Sequence, residues 1–214
     1  MTTDQATTKN DVMTRLKEGT REQHEALHGV VSEHHMTRSL ADYARCLRAY
    51  ERSVEPIESA LKSFVRDRVT SGDAPLGSAI GLEDLDDRLV KTDWLRSDLN
   101  HLRPLIDPDQ WCERLQTPTL SIQPIDWDQW FGQAYVAEGM SLGARFIAPE
   151  VEKTLSLRNG GLRFFRAYGE QTSMMWNRFR KAACEHVTDH DAAVRSAQET
   201  FRWFAQYLSV SGLG

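Results

Sequence analysis

Residues 40–64 read LADYARCLRAYERSVEPIESALKSF, and the spacing of their apolar side chains decides the fold class. Leu40, Tyr43, Leu47, Tyr50, Val54, Ile57, Leu61 and Phe64 recur in alternating steps of three and four, the period of one helix face and not of a strand. Pro56 falls inside this run, where it removes a backbone donor and crowds the preceding turn, so a kink or break giving a helix pair is expected. Upstream, Leu16, Thr20, His24, Leu27 and Val31 lie on one narrow arc and predict a first helix that buries that stripe. Downstream, residues 71–82 (SGDAPLGSAIGL) read as a loop, followed by a helix over Leu85–Leu102 with Leu85, Leu89, Leu95, Leu99 and Leu102 inward. Pro104, Pro108, Pro118 and Pro124 then punctuate a connection with room for at most a short helix near Trp111. Asp126 is placed to cap a long helix from Trp127. Gly160-Gly161 separates it from another helix, Leu162 to about Val187. Thr188 or Asp189 caps a last helix carrying Ala193, Ala197, Phe201, Phe204 and Leu208. With no alternating strand pattern and no internal repeat, the expectation is one all-α domain.

Composition narrows the function classes. The 214 residues are 40% hydrophobic and 27% charged, enough for a core in one soluble domain. A formal net charge of -5 argues against general nucleic-acid binding, so an anionic ligand would need a local cationic patch. Cys46, Cys112 and Cys184 are odd in number and far apart, which indicates neither a disulfide framework nor a zinc site, and suits reduced thiols in the cytoplasm. The N-terminus is polar, without a secretory core, no apolar run is long enough to span a bilayer, and Ser211–Gly214 at the other end provides no anchor.

Three features carry chemistry. His24 lies on the inward face of the first helix; a core histidine satisfied by a hydrogen bond is the commoner case, a metal or haem ligand the functional one. His34-His35 and the pair His186 and His190 sit at polar helix ends, where a solvated surface is the simpler reading. Tyr135-Val136-Ala137-Glu138-Gly139-Met140-Ser141-Leu142-Gly143-Ala144 places two glycines four apart on one face. Either they allow close helix–helix packing, or they let a flat ligand lie against the backbone. Phe164, Phe165, Tyr168, Met175, Trp176 and Phe179 make one aromatic-rich wall, beside Arg178, Arg180 and Lys181. That cationic group is a solvated face, or it holds carboxylates at a pocket mouth.

Together these stretches resemble the haem oxygenase family of the bacterial kind. Leu16–Leu27 (LKEGTREQHEAL) looks like the family's proximal helix, with a threonine four residues before the histidine. Tyr135–Ala144 is similar to the bacterial distal pattern Y-V-L-E-G-S-x-L-G; Gly161–Phe165 and Trp176–Phe179 resemble the later helix flanking haem. The resemblance implies a single-domain haem oxygenase-like helical fold over residues 11–210, after a flexible N-terminus over 1–10, with haem held between a proximal and a distal helix. His24 would be the iron ligand, and Gly139 and Gly143 the distal ceiling. Lys17, with Arg178, Arg180 or Lys181 (Lys181 favoured), would reach the haem propionates. Ala137 and Met140 stand where leucine and serine are usual, and Met140 puts a soft thioether beside the distal glycines.

The reaction so implied opens haem b, both cofactor and substrate, to biliverdin, carbon monoxide and ferrous iron. It uses O2 and electrons from an external ferredoxin, flavodoxin or reductase, because no flavin or nicotinamide fingerprint is present. A biliverdin-accepting photoreceptor is a further expected partner, whereas nucleic acid and membrane are not. Two rival classes are a haem-binding or carrier protein without turnover, and a helical oxidase or thiamin-degrading enzyme of related architecture. A di-iron oxidase would need two Glu-x-x-His pairs, and only Glu25 with His28 has that spacing.

Overall fold

The computed structural model describes residues 11–30, 36–68, 77–114, 116–157 and 160–209. Val31, the His34-His35 pair, loop residues 71–76 and both termini (1–10 and 210–214) lie outside the described residues, as does the side chain of His28. All regular structure among the described residues is helical. In chain order the elements are α1 (Val12–Gly19), α2 (Arg21–Val30), α3 (Leu40–Arg68), α4 (Leu85–Arg88), α5 (Lys91–Leu102), α6 (Trp127–Leu155), α7 (Arg163–Arg166), α8 (Thr172–His186) and α9 (His190–Ser209).

Helix α3 buries the stripe that its spacing announces: Tyr43, Leu47, Tyr50, Val54, Ile57, Leu61 and Phe64 are all in the core. Each such side chain contributes about 1.5–3 kcal/mol when fully buried. Pro56 does not split it, and one 29-residue helix continues through the ring. The disturbed turn is tied from outside, because Trp203 Nε1 of α9 donates to Ser53 O at 2.9 Å. Helix α9 buries Ala193, Ala197, Phe201, Phe204 and Leu208 as expected, and Asp189 caps it, accepting from Ala192 N at 2.9 Å. It packs most extensively on α6, and also on α1, α2 and α3. The long helix α6 begins where expected, with Asp126 Oδ1 accepting from Gln129 N at 2.8 Å.

Two expected helices downstream of α3 are broken, and at one of the breaks a carboxylate from another helix takes over the new N-terminus. The run Leu85–Leu102 divides into α4 and α5, and no side chain of Val90 caps α5. Instead Glu58 of α3 accepts from Lys91 N at 2.6 Å, Thr92 N at 3.0 Å and Thr92 Oγ1 at 2.6 Å. The run Leu162–Val187 divides into α7 and α8 at Ala167, which adopts φ 45, and Gly169, φ 57. Asp98 of α5 caps α7, accepting from Arg163 N at 2.7 Å and Phe164 N at 2.8 Å. Burial pushes the Asp98 carboxyl above its ordinary value despite these two amides. A negative group at a helix N-terminus satisfies otherwise orphaned amides and meets the positive end of the dipole.

Tethers of this kind predict a measurable cost. Glu58→Ala and Asp98→Ala should each lower unfolding free energy by on the order of 3 kcal/mol, because buried amides lose their acceptor. Denaturant titration followed by circular dichroism reads this, and a loss like that of an exposed site such as Glu83→Ala would contradict it.

Candidate functional site

The first helix of the expectation is two segments, α1 and α2, meeting at Thr20 (φ -108, ψ 6). Thr20 is buried and its hydroxyl donates to Leu16 O at 2.7 Å. Leu16 and Thr20 therefore enter the core, but His24, one turn further, is exposed, with Leu27 only partly covered. The stripe is thus buried at its start and opens at the histidine, contrary to the expectation of a fully buried face. The imidazole is oriented by Phe201 of α9, edge-on at 5.8 Å between ring centroids.

On α6, burial raises the Tyr135 hydroxyl above its ordinary value, and nearby Thr20 partly offsets the rise. His24 stands one turn beyond Thr20, and Gly139 one turn beyond Tyr135. Gly139 and Gly143 then separate the two readings of small residues. A Cβ added to either would meet nothing within 4 Å, whereas one at Gly132 would stand 2.2 Å from Ala193 O and one at Gly19 2.6 Å from Val194 Cγ1. Gly132 and Gly19 are packing glycines; Gly139 and Gly143 face open space. Phe146, one turn past Gly143 on that face, is 69% exposed, although aromatic. Met140 is partly buried against the core at the margin of the same turn. The face of α6 at Gly139 and Gly143 is thus bare backbone toward open space, and His24 is an exposed imidazole on α2.

The cationic residues of α8 do not act as one group. Cys184 Sγ lies 2.9 Å from Asp11 Oδ1, the cap of α1, and so marks the side of α8 that faces the proximal segment. At ~100° per residue, Arg180 and Lys181 flank that side, while Arg178 is ~120° away from Cys184. Arg178 Nη1 is in fact 3.2 Å from Asp84. Lys181 is exposed and pairs loosely with Glu185 at 3.8 Å; Lys17, in the last turn of α1, is exposed. The expected aromatic wall also divides. Phe164 and Phe165 pack on Tyr50 and Tyr43 of α3, Tyr168 on Trp94, and Trp176 and Phe179 on Tyr135 and Phe131.

Behind the glycine face lies a buried ionic network that sequence reasoning did not anticipate. Glu138 Oε2 accepts from Arg88 Nη1 at 2.8 Å, and its Oε1 accepts from Lys91 Nζ and from Tyr168 Oη, both at 2.9 Å. Arg88 also donates to Asp84 Oδ1 at 2.6 Å and to Met175 O at 3.0 Å; Lys91 Nζ also donates to Arg88 O at 2.7 Å. Burial acts against the Lys91 charge, but Glu138, Tyr168 and Glu58 together outweigh it and hold the ammonium above its usual range. Burial likewise acts to raise Asp84, and its hydrogen bonds with Arg88 and Arg178 bring it below the usual carboxylate range. The sequence signal was available in that Arg88 and Lys91 interrupt the apolar stripe of Leu85, Leu89 and Leu95, and charges there require partners. A cleft of about 670 Å3 opens outside the network, lined in part by Asp84, Trp94, Tyr168 and Arg178, with neither His24 nor the open glycines in its wall.

Among the described residues no group of three or more His, Cys, Asp or Glu side chains gathers as a metal site, and no described helix is long and apolar enough to cross a membrane. No curated protein matches the chain. Solved structures do. Heme oxygenase 2 from Chlamydomonas reinhardtii, without heme, superposes with a TM-score of 0.76 at 16% identity, covering 96% of this chain and 99% of that one. The NO- and CO-bound heme oxygenase from Neisseria meningitidis gives a TM-score of 0.69 at 20% identity, with coverage of 94% and 92%. The heme oxygenase from Leptospira interrogans gives 0.68 at 18%, with coverage of 93% and 98%. These likenesses show the fold, and the family model described as Heme oxygenase matches residues 10–210. The chain belongs to the heme oxygenase family.

Proposed function

We propose that this protein opens haem to biliverdin, carbon monoxide and ferrous iron, holding it between α2 and α6, where His24 would bind its iron. The observation that carries the reading is the open face at Gly139 and Gly143, where a Cβ would meet no atom although two other glycines of the chain are tightly packed. Haem bound there supplies the redox-active iron and is itself consumed, with O2 and electrons arriving from an external ferredoxin, flavodoxin or reductase.

The chain's residues bind, orient and exclude. His24 offers an imidazole nitrogen from a helix that starts at the buried Thr20, with the ring of Phe201 packed perpendicular to it. Gly139 and Gly143 bring bare backbone against the porphyrin, and Leu142 and Phe146 extend an apolar surface that displaces water. The one carboxylate of residues 135–146, Glu138, is turned inward and engaged by two cations, so no carboxylic acid of this turn serves as a proton donor over the ring. Met140 borders the glycines and narrows the rim on one side. Lys17 from α1 and Arg180 and Lys181 from α8 would hold the propionates and so fix how the substrate is seated in the site. Arg178 is committed to Asp84 and leaves this task to its neighbours. These exposed cations also mark the haem edge for an acidic electron donor.

Haemin titration followed by ascorbate or ferredoxin in air tests the reading. Wild type should show histidine ligation, then lose its Soret band as biliverdin forms; a band that persists under reductant means a carrier. His24→Ala should lose both the ligation spectrum and turnover, and an unchanged spectrum with full turnover overturns the assignment. Lys17→Ala combined with Lys181→Ala should weaken haem retention or shift the biliverdin isomer. Each lost charge-assisted contact costs about 1.5–3 kcal/mol, roughly tenfold or more in affinity. If neither retention nor isomer changes, the clamp is wrong.

A further inference from the structure

The glycine pair that suits α6 to a planar ligand also makes that turn of the helix deformable. Each glycine destabilises a helix interior by about 1 kcal/mol relative to alanine and leaves no side chain to lock the turn by packing. The other residues there are mostly small: Ala134, Ala137, Ser141 and Ala144 are buried but have little shape to register against a neighbour. Yet a ligand lying on bare backbone is sensitive to displacements of well under an ångström. Something other than packing must set where this backbone stands.

We propose that Glu138 is the positioning residue for the distal backbone, fixing the rotation and height of the 136–143 turn through Arg88, Lys91 and Tyr168. Glu138 immediately precedes Gly139 and projects ~100° around the helix from it, away from the open face. It is 4% exposed, and both of its oxygens are engaged, by Nη1 of Arg88, Nζ of Lys91 and Oη of Tyr168, from three separate segments. Those partners are fixed in their turn. Arg88 is 1% exposed and also bonds Asp84 and Met175 O; Lys91 is 1% exposed, and its backbone amide is held by Glu58. Three contacts from different directions define both the rotation and the axial position of Glu138 Cα, and hence of Gly139 next to it. Stability alone does not account for such an arrangement, because replacing buried ion groups by apolar side chains of like volume is often neutral or favourable. A geometric task does account for it.

The role rests on the haem-binding reading, but its first test needs no haem. Hydrogen exchange of ligand-free Glu138→Gln should speed the amides of 136–144 by about tenfold or more beyond the global change, the scale of one lost charge-assisted hydrogen bond. Tyr168→Phe, which removes only a hydroxyl, is the milder variant should Glu138→Gln not fold, and should act in the same direction. Arg96→Ala is the control: it breaks ion pairs with Glu51 and Glu55, remote from this turn, and should leave exchange there unchanged at a comparable denaturation midpoint. In haemin-loaded, reduced protein, the C–O stretch of added carbon monoxide should shift or split in Glu138→Gln and Tyr168→Phe but not in Arg96→Ala. Local exchange and C–O stretch both unchanged in the network variants, or moved equally by Arg96→Ala, overturns the proposal. Wild type that fails to bind haemin refutes the haem reading instead, and the exchange comparison still decides the tether.

Discussion

A helix that presents bare backbone to open space on one face must be held entirely by its others, and the arrangement of this protein follows from that constraint. Helix α6 is secured on one side by α9, approached so closely at Gly132 that a Cβ would stand 2.2 Å from Ala193 O. On another side Glu138 is gripped by Arg88, Lys91 and Tyr168. Tyr135 of α6 lies near Thr20, where α1 ends and the histidine helix begins. The same α9 that packs on α6 also places Phe201 beside His24.

The supporting shell is built from short pieces joined by remote carboxylates. Glu58 caps α5 at the break before Lys91, and Asp98 caps the start of α7, each from a neighbouring helix, so that both helix starts become tertiary contacts. The break before Lys91 leaves its amide to Glu58 and directs its ammonium to Glu138. The break at Ala167 brings Tyr168 to the same carboxylate. The discontinuities are therefore what assembles the network.

Much of this was legible in the sequence. The three-and-four spacing of α3, the caps at Asp126 and Asp189, and the inward stripe of α9 follow from local chemistry, and the structure holds them as read. The long α3 survives Pro56 with an indole on Ser53 O, and the run after Leu85 breaks where a carboxylate of α3 takes the amides of Lys91 and Thr92. The run after Leu162 breaks at the positive φ of Ala167 and Gly169. Periodicity placed His24 on a helix face but could not tell a buried face from one that opens halfway along. It also left the glycine pair between packing and ligand contact, a choice that depends on what stands opposite. The resemblance favours Lys181 over Arg178, and the ion pair that separates the two, Arg178 with Asp84, joins residues far apart in the chain. The tether at Glu138 was missed because its partners lie 30 to 50 residues away in the chain.

The most direct test of the central claim measures stability and haemin affinity together in a Gly139→Ala, Gly143→Ala double variant. With nothing within 4 Å of either new Cβ, the ligand-free protein should gain stability, by about 1 kcal/mol per site in a helix interior. Haemin affinity should fall by roughly tenfold or more, because two methyl groups then occupy the space against the ring. Loss of ligand-free stability, or haemin binding as tight as in wild type, would contradict the account.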